Sequence, residues 1–368
     1  MVGAGQLARM TQRAAIDLGV ELRVLATDPE DSAVRAGARV RTGRPDDLEA
    51  LRALATGADV VTFDHEHASG TLLGLLEDEG FRLAPSAEAK RLAQDKLHAR
   101  TRLQALGFPV PPFAAVTRRD DVERFAAAHG WPLVAKAPTG GYDGRGVTIV
   151  GDADAAAALL DELPGPLLLE PLLQLERELA VLVARSASGE CAVYAVAETV
   201  QHDAMCREVL VPAPVAPALA AEAQHLAQAV VVAADAVGVV AVELFVTPDG
   251  LVINELALRP HNSGHFTIEG AETSQFEQHL RAILDWPLGA TDLTAPAVAM
   301  VNVVGPPDGS DPRGRVAPAL AVRGAHVHLY DKAPAPGRKL GHVTARASSL
   351  GQARETARRA AEILEGGW

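Results

Sequence analysis

A strong turn signal, Thr247-Pro248-Asp249-Gly250, lies between two apolar runs and constrains the fold of the second half of the chain. A turn of this kind between apolar segments predicts a β-hairpin. If the hairpin folds about Asp249, Glu243 and Glu255 lie opposite each other on one face of the sheet. Two opposed carboxylates repel each other unless a cation lies between them, and a small set of oxygen ligands suits a Mg²⁺ that also binds phosphates. The alternative interpretation is a charge pair on the surface.

The composition excludes several classes of protein. A chain of 368 residues with 48% hydrophobic and 22% charged residues is typical of a folded protein of two or three domains. Its formal net charge of −13 argues against a general nucleic-acid or anionic-membrane partner. The two cysteines, Cys191 and Cys206, predict neither a disulfide framework nor a zinc site and fit a reducing cytoplasm. The most apolar span, 229–246, contains Asp235 and Gly238, so it predicts the end of a helix and then a buried strand rather than a membrane span.

The N-terminal part of the chain has the pattern of a βαβ unit. The glycine loop Gly3-Ala4-Gly5 runs into a helical segment, and a strand and a turn follow. Such glycines either bind a dinucleotide or simply permit a tight turn from strand to helix, and the second interpretation is favoured here. Segment 58–67 predicts another buried strand, ending in polar residues that include Glu66; these either bind a ligand at the sheet edge or form a solvated loop. Since a core strand needs about five residues and only Met1 and Val2 precede the glycines, we expect the natural chain to begin several residues upstream.

A glycine-rich loop follows a predicted strand in the middle of the chain. Before it, a helical segment from Pro85 ends near Gly107, and a proline-rich connector leads to a second, strand-rich unit. In VAKAPTGGYDGRGV, residues 134–147, Lys136 lies on the strand and four glycines come after it. The backbone N–H groups of such a loop, together with a strand-held lysine, suit phosphate oxygens. The pattern is not a Walker loop, and a flexible β-turn is the alternative.

Basic residues cluster near the C-terminus. Residues 330–344 gather Lys332, Arg338, Lys339 and His342 around a proline-glycine turn. In an acidic protein, such a cluster is a candidate clamp for an anionic group. A solvated basic loop is the alternative interpretation.

Taken together, these motifs resemble the ATP-grasp enzymes and, in detail, the N5-carboxyaminoimidazole ribonucleotide synthetase family. The resemblance runs nearly end to end and is carried by GAGQLARM, TFDHEH, QDK, GGYDGRG, NELALRPHNSGH, SQFEQHLRAIL and HLYDKAPAPGRKLGH. It implies an α/β and α+β fold in three domains. These are an N-terminal Rossmann-like (biotin-carboxylase-like) domain over 1–84, a central ATP-grasp domain over 85–290 with a helical linker, a lid and a core, and a small β-rich C-terminal domain over 291–368.

The resemblance also implies an ATP-dependent carbon–nitrogen ligase of purine biosynthesis. Such an enzyme carboxylates 5-aminoimidazole ribonucleotide with bicarbonate through carboxyphosphate, and it releases ADP and phosphate. The implied cofactors are ATP and Mg²⁺, with Mn²⁺ as a possible substitute. A cytoplasmic homodimer without a nucleic-acid or membrane partner is expected.

By this resemblance, Arg259 and Lys136 act in catalysis, and Glu243 and Glu255 bind the metal. The nucleotide site is expected to comprise Lys96, Lys136, Gly141, Tyr142, Asp143, Gly144, Arg145, Gly146, Val147, Glu170, Pro171, Leu172, Leu173, Glu178, Gln201, Asn254 and Glu255. The ribonucleotide site is expected to comprise Gln6, Leu7, Glu66, His261, Asn262, Ser263, Lys332, Arg338 and Lys339.

The chain departs from the family pattern at a few positions. Gln201-His202-Asp203-Ala204 stands where the family has H-x-D-G, so Gln201 takes the place of a histidine that contacts the nucleotide. Leu258 replaces a proline, and Ala4 and Ala8 replace glycines, which is tolerable where φ is negative.

Three other functions compete with carboxylation. They are a sibling ligase that uses formate and glycinamide ribonucleotide, an ATP-binding sensor without turnover, and a nicotinamide oxidoreductase. The GGYDGRG and RPHNSGH segments favour the carboxylating family. Both hairpin carboxylates, Arg259 and the basic cluster are retained, which favours catalysis over sensing.

Overall fold

The computed structural model describes residues 1–141, 146–163 and 165–367, and these contain three sheets. A parallel pair of strands lies in the N-terminal part, an antiparallel four-stranded sheet follows, and a nine-stranded sheet forms the centre. Within the described ranges, no helix has the length and apolar character needed to cross a membrane. The mixture of parallel and antiparallel sheets agrees with the α/β and α+β class expected from the sequence.

The N-terminal part contains four helices and two strands. They are α1 (Gln6–Leu18), β1 (Arg23–Ala26), α2 (Ser32–Arg35), β2 (Arg39–Thr42), α3 (Leu48–Ala55) and α4 (Gly70–Asp78). Single parallel bridges extend the β1–β2 pair: Val2 bridges Leu25 and Phe63, and Val61 bridges Leu83. The resulting order of parallel segments, 39–42, 23–26, 1–3, 61–64 and 82–84, is that of a Rossmann-like sheet.

The strand predicted over 58–67 is longer than the paired segment in the structure. Bridges form only at Val61 and Phe63, because the chain leaves the sheet at Asp64, where the polar turn begins. The carboxylate of Asp64 accepts the N–H of Gly5 at 2.6 Å. Gly3 has φ +101°, and a Cβ on it would lie 1.9 Å from an Asp64 oxygen. The glycine loop therefore closes on a carboxylate of its own domain, which favours the tight-turn interpretation over a dinucleotide site.

The four-stranded sheet has the order β3-β6-β4-β5 and packs against two helices. Its apolar face is formed by residues such as Val116, Leu133, Val150 and Leu167, which share one core with α7 and α8. Two further helices precede it, and α5 ends just before α6 begins. The elements are α5 (Ala87–Gln94), α6 (Lys96–Ala105), β3 (Ala114–Val116), α7 (Arg119–His129), β4 (Leu133–Lys136), β5 (Val147–Val150), α8 (Ala153–Glu162) and β6 (Leu167–Pro171).

The nine-stranded sheet is built from the rest of the chain. Its elements are β7 (Arg177–Arg185), β8 (Cys191–Val193), β9 (Ala197–His202), β10 (Met205–Val211), α9 (Pro217–Ala233), β11 (Gly238–Thr247), β12 (Gly250–Ala257), α10 (Thr267–Gly270), α11 (Gln275–Ile283), β13 (Ala297–Val304), α12 (Val316–Leu320), β14 (Ala325–Leu329), β15 (Lys339–Ala347) and α13 (Leu350–Glu365). The strand order is β12-β11-β7-β9-β10-β13-β15-β14, and β8 pairs with β7. The predicted helix end and buried strand of residues 229–246 are confirmed by α9 and β11.

The C-terminal strands extend the central sheet through the pairing of β10 with β13. Helix α13 covers β13 and β15 with small buried residues that include Ala353, Ala357 and Ala360. Because the sheet continues from β10 to β13, the strand pairing gives no evidence for a domain boundary near residue 291. The domain boundaries at 84/85 and 290/291 stay predictions.

Candidate active site

The β11–β12 hairpin carries the two carboxylates that the sequence singles out. Its two-residue turn pairs Thr247 with Gly250, and this register alone would place Glu243 opposite Asn254. A β-bulge beside Glu243 gives β12 one extra residue, so Glu243 pairs with Glu255 instead. The predicted opposition of the two carboxylates is confirmed.

The carboxylate of Glu243 lies among other acidic groups. Burial raises the pKa of Glu243 to about 7, and the negative charges of Glu255 and Glu178 add to the rise. Asn254 Nδ2 donates to one Glu243 oxygen at 3.4 Å, and His261 Nε2 lies 3.3 Å from the other. An ionised Glu243 therefore needs more positive charge than these neighbours supply, and a divalent cation would provide it.

The donor set fits a Mg²⁺ ion shared with a polyphosphate. Within the described ranges, no group of three or more His, Cys, Asp or Glu side chains forms a metal cage. Mg²⁺ commonly takes one or two protein carboxylates and completes its shell with phosphate oxygens and water. Glu243 and Glu255 match that requirement.

Helix α6 brings a lysine to the hairpin. The side chain of Asp95 caps this helix by accepting the N–H of His98 at 2.9 Å. Lys96, the first residue of α6, places its Nζ 3.0 Å from Glu255 Oε1. Its backbone N–H donates to the carbonyl of Pro138 at 2.8 Å, just after β4. The start of α6 is thus tied both to the hairpin and to the glycine-rich loop.

A buried ion cluster lies in the four-stranded sheet. Lys136 Nζ is 2.6 Å from Glu170 Oε2, and Arg100 Nε is 2.5 Å from Glu170 Oε1. Burial lowers the pKa of Lys136, whereas the negative charge of Glu170 opposes that change. The carboxylate of Glu170 is therefore occupied by two cations, and any contact of this residue with adenine would come from its backbone.

The glycine-rich loop connects β4 to β5. Val147 pairs with Lys136 across these strands, and Ala137 N–H donates to the carbonyl of Gly146 at 2.9 Å. Gly141 is the last described residue before the gap. The contacts predicted for Tyr142, Asp143, Gly144 and Arg145 lie outside the described residues.

The remaining nucleotide-site candidates lie at the end of β6 and on two strands of the nine-stranded sheet. Pro171 ends β6, Leu172 is exposed and Leu173 is half-buried. On the neighbouring strands β7 and β9, Gln201 Nε2 donates to Glu178 Oε2 at 3.0 Å. Burial raises the pKa of Glu178, and the hydrogen bond from Gln201 partly opposes the rise. The structure thus brings together Gln201, Glu178 and Glu243.

Glu66 is held by cations from two other parts of the chain. Arg259 Nε lies 2.9 Å from Glu66 Oε1, and the ammonium of Lys90 binds Glu66 Oε2. Lys90 is fully buried and also donates to the carbonyl of His65 at 2.9 Å. Burial by itself would raise the pKa of Glu66, but the charges of Lys90 and Arg259 hold it at about 2. Glu66 is therefore ionised and connects the N-terminal part with Arg259.

The turn that follows Arg259 is fixed by Gln275, a fully buried residue at the start of α11. Its Oε1 accepts the N–H of His261 at 2.8 Å, and its Nε2 donates to the carbonyl of His261 at 2.8 Å and to His265 Nδ1 at 3.0 Å. His261 Nδ1 in turn lies 2.9 Å from the hydroxyl of Ser263. These contacts set the direction of His261, whose other ring nitrogen approaches Glu243.

The basic cluster spans the connection from β14 to β15 and the first part of β15, and the start of this connection lies beside α2. Ser32 Oγ donates to the carbonyl of Tyr330 at 2.5 Å, and Arg35 Nε lies 2.7 Å from Asp331 Oδ2. Helix α2 therefore packs against the segment that leads into Lys332. Leu7, at the start of α1, and Tyr330 belong to one apolar cluster, so the start of α1 lies near the segment that leads into Lys332.

Lys332, Arg338 and Lys339 are exposed or half-buried, whereas His342 is buried. Arg338 is exposed and its Nη1 donates to the carbonyl of Ala333 at 3.1 Å. The Nζ of Lys332 lies 5.6 Å from the ring centroid of Tyr330. His342, in contrast, is fully buried, stacks on His328 and has its pKa held well below the usual value by burial. Burial therefore removes His342 from the candidate clamp, because β15 is buried continuously from Leu340 to Ala345.

Three buried residues of the site were not identified from the sequence. Arg100 could have been found, because it lies four residues after Lys96 on one helix face. Gln275 lies within the family-like segment SQFEQHLRAIL, but no local signal distinguishes it from its neighbours. No local signal identifies Lys90, since its ion pair is with Glu66, far away in the sequence.

Two antiparallel sheets linked through α6, with paired carboxylates on one and a buried lysine on the other, are the arrangement of an ATP-grasp enzyme. The family model described as the ATP-grasp domain matches residues 101–276. The ribonucleotide synthetase preATP-grasp domain matches residues 1–94, and the phosphoribosylaminoimidazole carboxylase C-terminal domain matches residues 298–356. These matches confirm the predicted fold class.

Curated and solved relatives define the family more narrowly. N5-carboxyaminoimidazole ribonucleotide synthase of Mycobacterium tuberculosis is 48% identical over 375 residues, covering 100% of this chain and 87% of the relative. The carboxyaminoimidazole ribonucleotide synthase of Aspergillus clavatus, solved in complex with ATP, has a TM-score of 0.90 at 35% identity, with 99% of this chain and 97% of that chain covered. The Aspergillus clavatus enzyme solved with ADP and 5-aminoimidazole ribonucleotide has a TM-score of 0.90 at 34% identity over the same shares. The chain belongs to the N5-carboxyaminoimidazole ribonucleotide synthase family, as its motifs predict.

Proposed function

We propose that this ATP-dependent ligase carboxylates 5-aminoimidazole ribonucleotide to N5-carboxyaminoimidazole ribonucleotide in purine biosynthesis. Bicarbonate is the carbon source, and ADP and phosphate are released. The observation that carries the proposal is a series of neighbouring side chains through the site. Lys96 contacts Glu255, Glu255 faces Glu243, and Glu243 contacts His261. This series joins the nucleotide side of the site to the ribonucleotide side.

ATP is bound between the two sheets. Lys96, Lys136 and the glycine-rich loop bind its phosphates, Glu178 binds its ribose, and Gln201 stands where the family has a histidine that contacts the nucleotide. Glu243 and Glu255 would hold Mg²⁺, which would neutralise charge on the phosphates; Mn²⁺ would offer the same charge with the same oxygen ligands. Glu66 keeps Arg259 in place while the nucleotide binds, since their side chains are paired.

The reaction begins with transfer of the γ-phosphoryl group of ATP to an oxygen of bicarbonate, which gives carboxyphosphate and ADP. The guanidinium of Arg259 stabilises the negative charge that this transfer spreads over the phosphoryl oxygens. The exocyclic amine of the ribonucleotide then attacks the carboxyl carbon, or the CO₂ released from it. The amine loses a proton and phosphate departs. A closed site protects the labile intermediate from water.

The ribonucleotide is bound on the other side of the carboxylates. Lys332, Arg338 and Lys339 clamp its 5′-phosphate, since they form a basic cluster in an acidic protein. The turn from His261 to Ser263 and the start of α1 line the rest of the site. Assembly as a homodimer and a cytoplasmic location complete the proposal, and both rest on the family resemblance.

Phosphate release with each substrate omitted in turn tests this function. Turnover requires ATP, 5-aminoimidazole ribonucleotide and Mg²⁺ together, and it depends on bicarbonate. Stimulation by glycinamide ribonucleotide and formate instead would assign the chain to the sibling ligase. Tight nucleotide binding without any turnover would indicate a sensor.

A further inference from the structure

Glu170 lies between two cations in a part of the protein that is almost closed to water. The side chains of Arg100 and Glu170 are 3% and 4% exposed, and that of Lys136 is 11% exposed. Arg100 binds one carboxylate oxygen at 2.5 Å and Lys136 the other at 2.6 Å. One negative and two positive charges leave the cluster with one net positive charge.

The cluster is assembled from two strands and one helix. Glu170 on β6 pairs with Val134 on β4, two residues before Lys136, so the two side chains lie on the same face of the sheet. Arg100 reaches Glu170 from α6, one helical turn after Lys96. Lys96 contacts Glu255 on β12. One face of α6 therefore contacts both the four-stranded sheet and the carboxylate hairpin.

The second cation changes what Lys136 can do. Without Arg100, Lys136 and Glu170 would form a neutral pair, and the buried carboxylate would hold the ammonium with the full strength of a poorly screened interaction. With Arg100 on the other oxygen, the carboxylate is already satisfied in part and holds Lys136 less strongly, so the ammonium of Lys136 is available to a phosphate.

We propose that Arg100 is a positioning residue for nucleotide binding, which acts by sharing Glu170 so that Lys136 can bind a nucleotide phosphate. The inference rests on the proposed placement of the ATP phosphates at Lys136. Arg100 itself does not touch the nucleotide. Its effect passes through Glu170, and this route makes the proposal testable by combining substitutions.

A thermodynamic cycle between Arg100 and Glu170 tests the proposal. ADP binding is measured by calorimetry for the wild type, Arg100→Met, Glu170→Gln and the double variant. Arg100→Met should weaken ADP binding by about 10-fold or more, the loss expected for one charge-assisted hydrogen bond. In the Glu170→Gln background, the same substitution should change ADP affinity by less than about threefold. An equal loss in both backgrounds would overturn the proposal.

Steady-state kinetics provide the second readout. Arg100→Met should raise KM for ATP while KM for the ribonucleotide stays within about twofold, and Arg100→Lys should restore most of the ATP affinity because it keeps the charge. The control is Arg102→Met, an exposed arginine on the opposite side of α6. An unchanged KM for ATP in Arg100→Met would also overturn the proposal.

The design separates this inference from the proposed function. If Arg100→Met does not fold, Glu170→Gln and the double variant still compare an arginine with a methionine at position 100 in a background without the carboxylate. A large difference in ADP affinity between those two proteins contradicts the proposal. If the wild type fails to carboxylate the ribonucleotide, the proposed function is wrong, whereas ADP binding still tests the role of Arg100.

Discussion

Glu243 and Glu255 face each other across the β11–β12 hairpin only because a β-bulge corrects the register that the turn imposes. The bulge lies directly beside Glu243, and it also brings the amide of Asn254 to within 3.4 Å of that carboxylate. Bulges near active sites commonly redirect side chains in this way. The local irregularity of the strand is therefore a structural requirement of the proposed metal site.

Removing either hairpin carboxylate should abolish Mg²⁺-dependent turnover. Glu243→Gln or Glu255→Gln removes one metal charge with little change of shape, so kcat should fall by about 100-fold or more while the melting temperature changes little. Asp249→Asn is the matched control, because Asp249 is an exposed carboxylate in the turn of the same hairpin. A Glu243 or Glu255 variant with near-normal turnover would exclude that residue as a metal ligand.

The basic cluster should act on the ribonucleotide and not on ATP. Arg338→Ala or Lys339→Ala removes charge-assisted hydrogen bonds worth about 1.5–3 kcal/mol, so KM for the ribonucleotide should rise about 10- to 150-fold. KM for ATP should stay nearly constant. Arg323→Ala, at another exposed arginine of the C-terminal part, is the control. Equal rises in KM for ATP and KM for the ribonucleotide would mean that the cluster does not bind the ribonucleotide specifically. No rise in either KM would support a solvated loop.

Gln201 should contribute to ATP binding in place of the histidine usual at this position. Because its side chain is hydrogen-bonded to Glu178, Gln201→Ala should raise KM for ATP by about 3- to 10-fold and leave KM for the ribonucleotide unchanged. The neighbouring residue provides a control, since the side chain of His202 is 76% exposed. If His202→Ala has the larger effect on KM for ATP, the histidine has been displaced by one position and not lost.

The ion pairs of Glu66 should make stability depend on pH in a defined window. Lys90 and Arg259 lower the folded-state pKa of Glu66 from 4.5 to about 2, against the effect of burial, so its contribution is present above about pH 4.5 and lost as the pH falls towards 2. Glu66→Gln should therefore lower the free energy of unfolding by about 3 kcal/mol at pH 7 and by about half as much at pH 3. Urea unfolding at the two pH values measures this, and an equal loss at both would contradict the ionic explanation.

Much of the fold could be predicted from local sequence patterns. The Thr247 to Gly250 turn and the apolar runs beside it correctly predict the hairpin. The pairing of Glu243 with Glu255 was predicted by assuming symmetry about Asp249, whereas the structure reaches it through a tighter turn and a bulge. Bulges depend on contacts between strands, and the sequence does not show them directly.

The parts of the site that could not be predicted depend on contacts distant in sequence. Lys90 and Arg100 are charged residues on helices, which predicts exposure, yet both are buried because Glu66 and Glu170 come from other elements. His342 comes soon after Lys332, Arg338 and Lys339 in the sequence, yet its side chain is buried in the core. Burial of such groups is decided by tertiary packing, and a single sequence carries little information about it.

The identity of the product shows whether the enzyme carboxylates the ribonucleotide. The enzyme is incubated with ATP, Mg²⁺, 5-aminoimidazole ribonucleotide and ¹³C-labelled bicarbonate, and ¹³C NMR follows the label while ADP is assayed in parallel. We expect a carbamate carbon attached to the ribonucleotide, formed in equal amount with ADP and absent when the ribonucleotide is omitted. ADP formation in the presence of the ribonucleotide without label in a carbamate would contradict it.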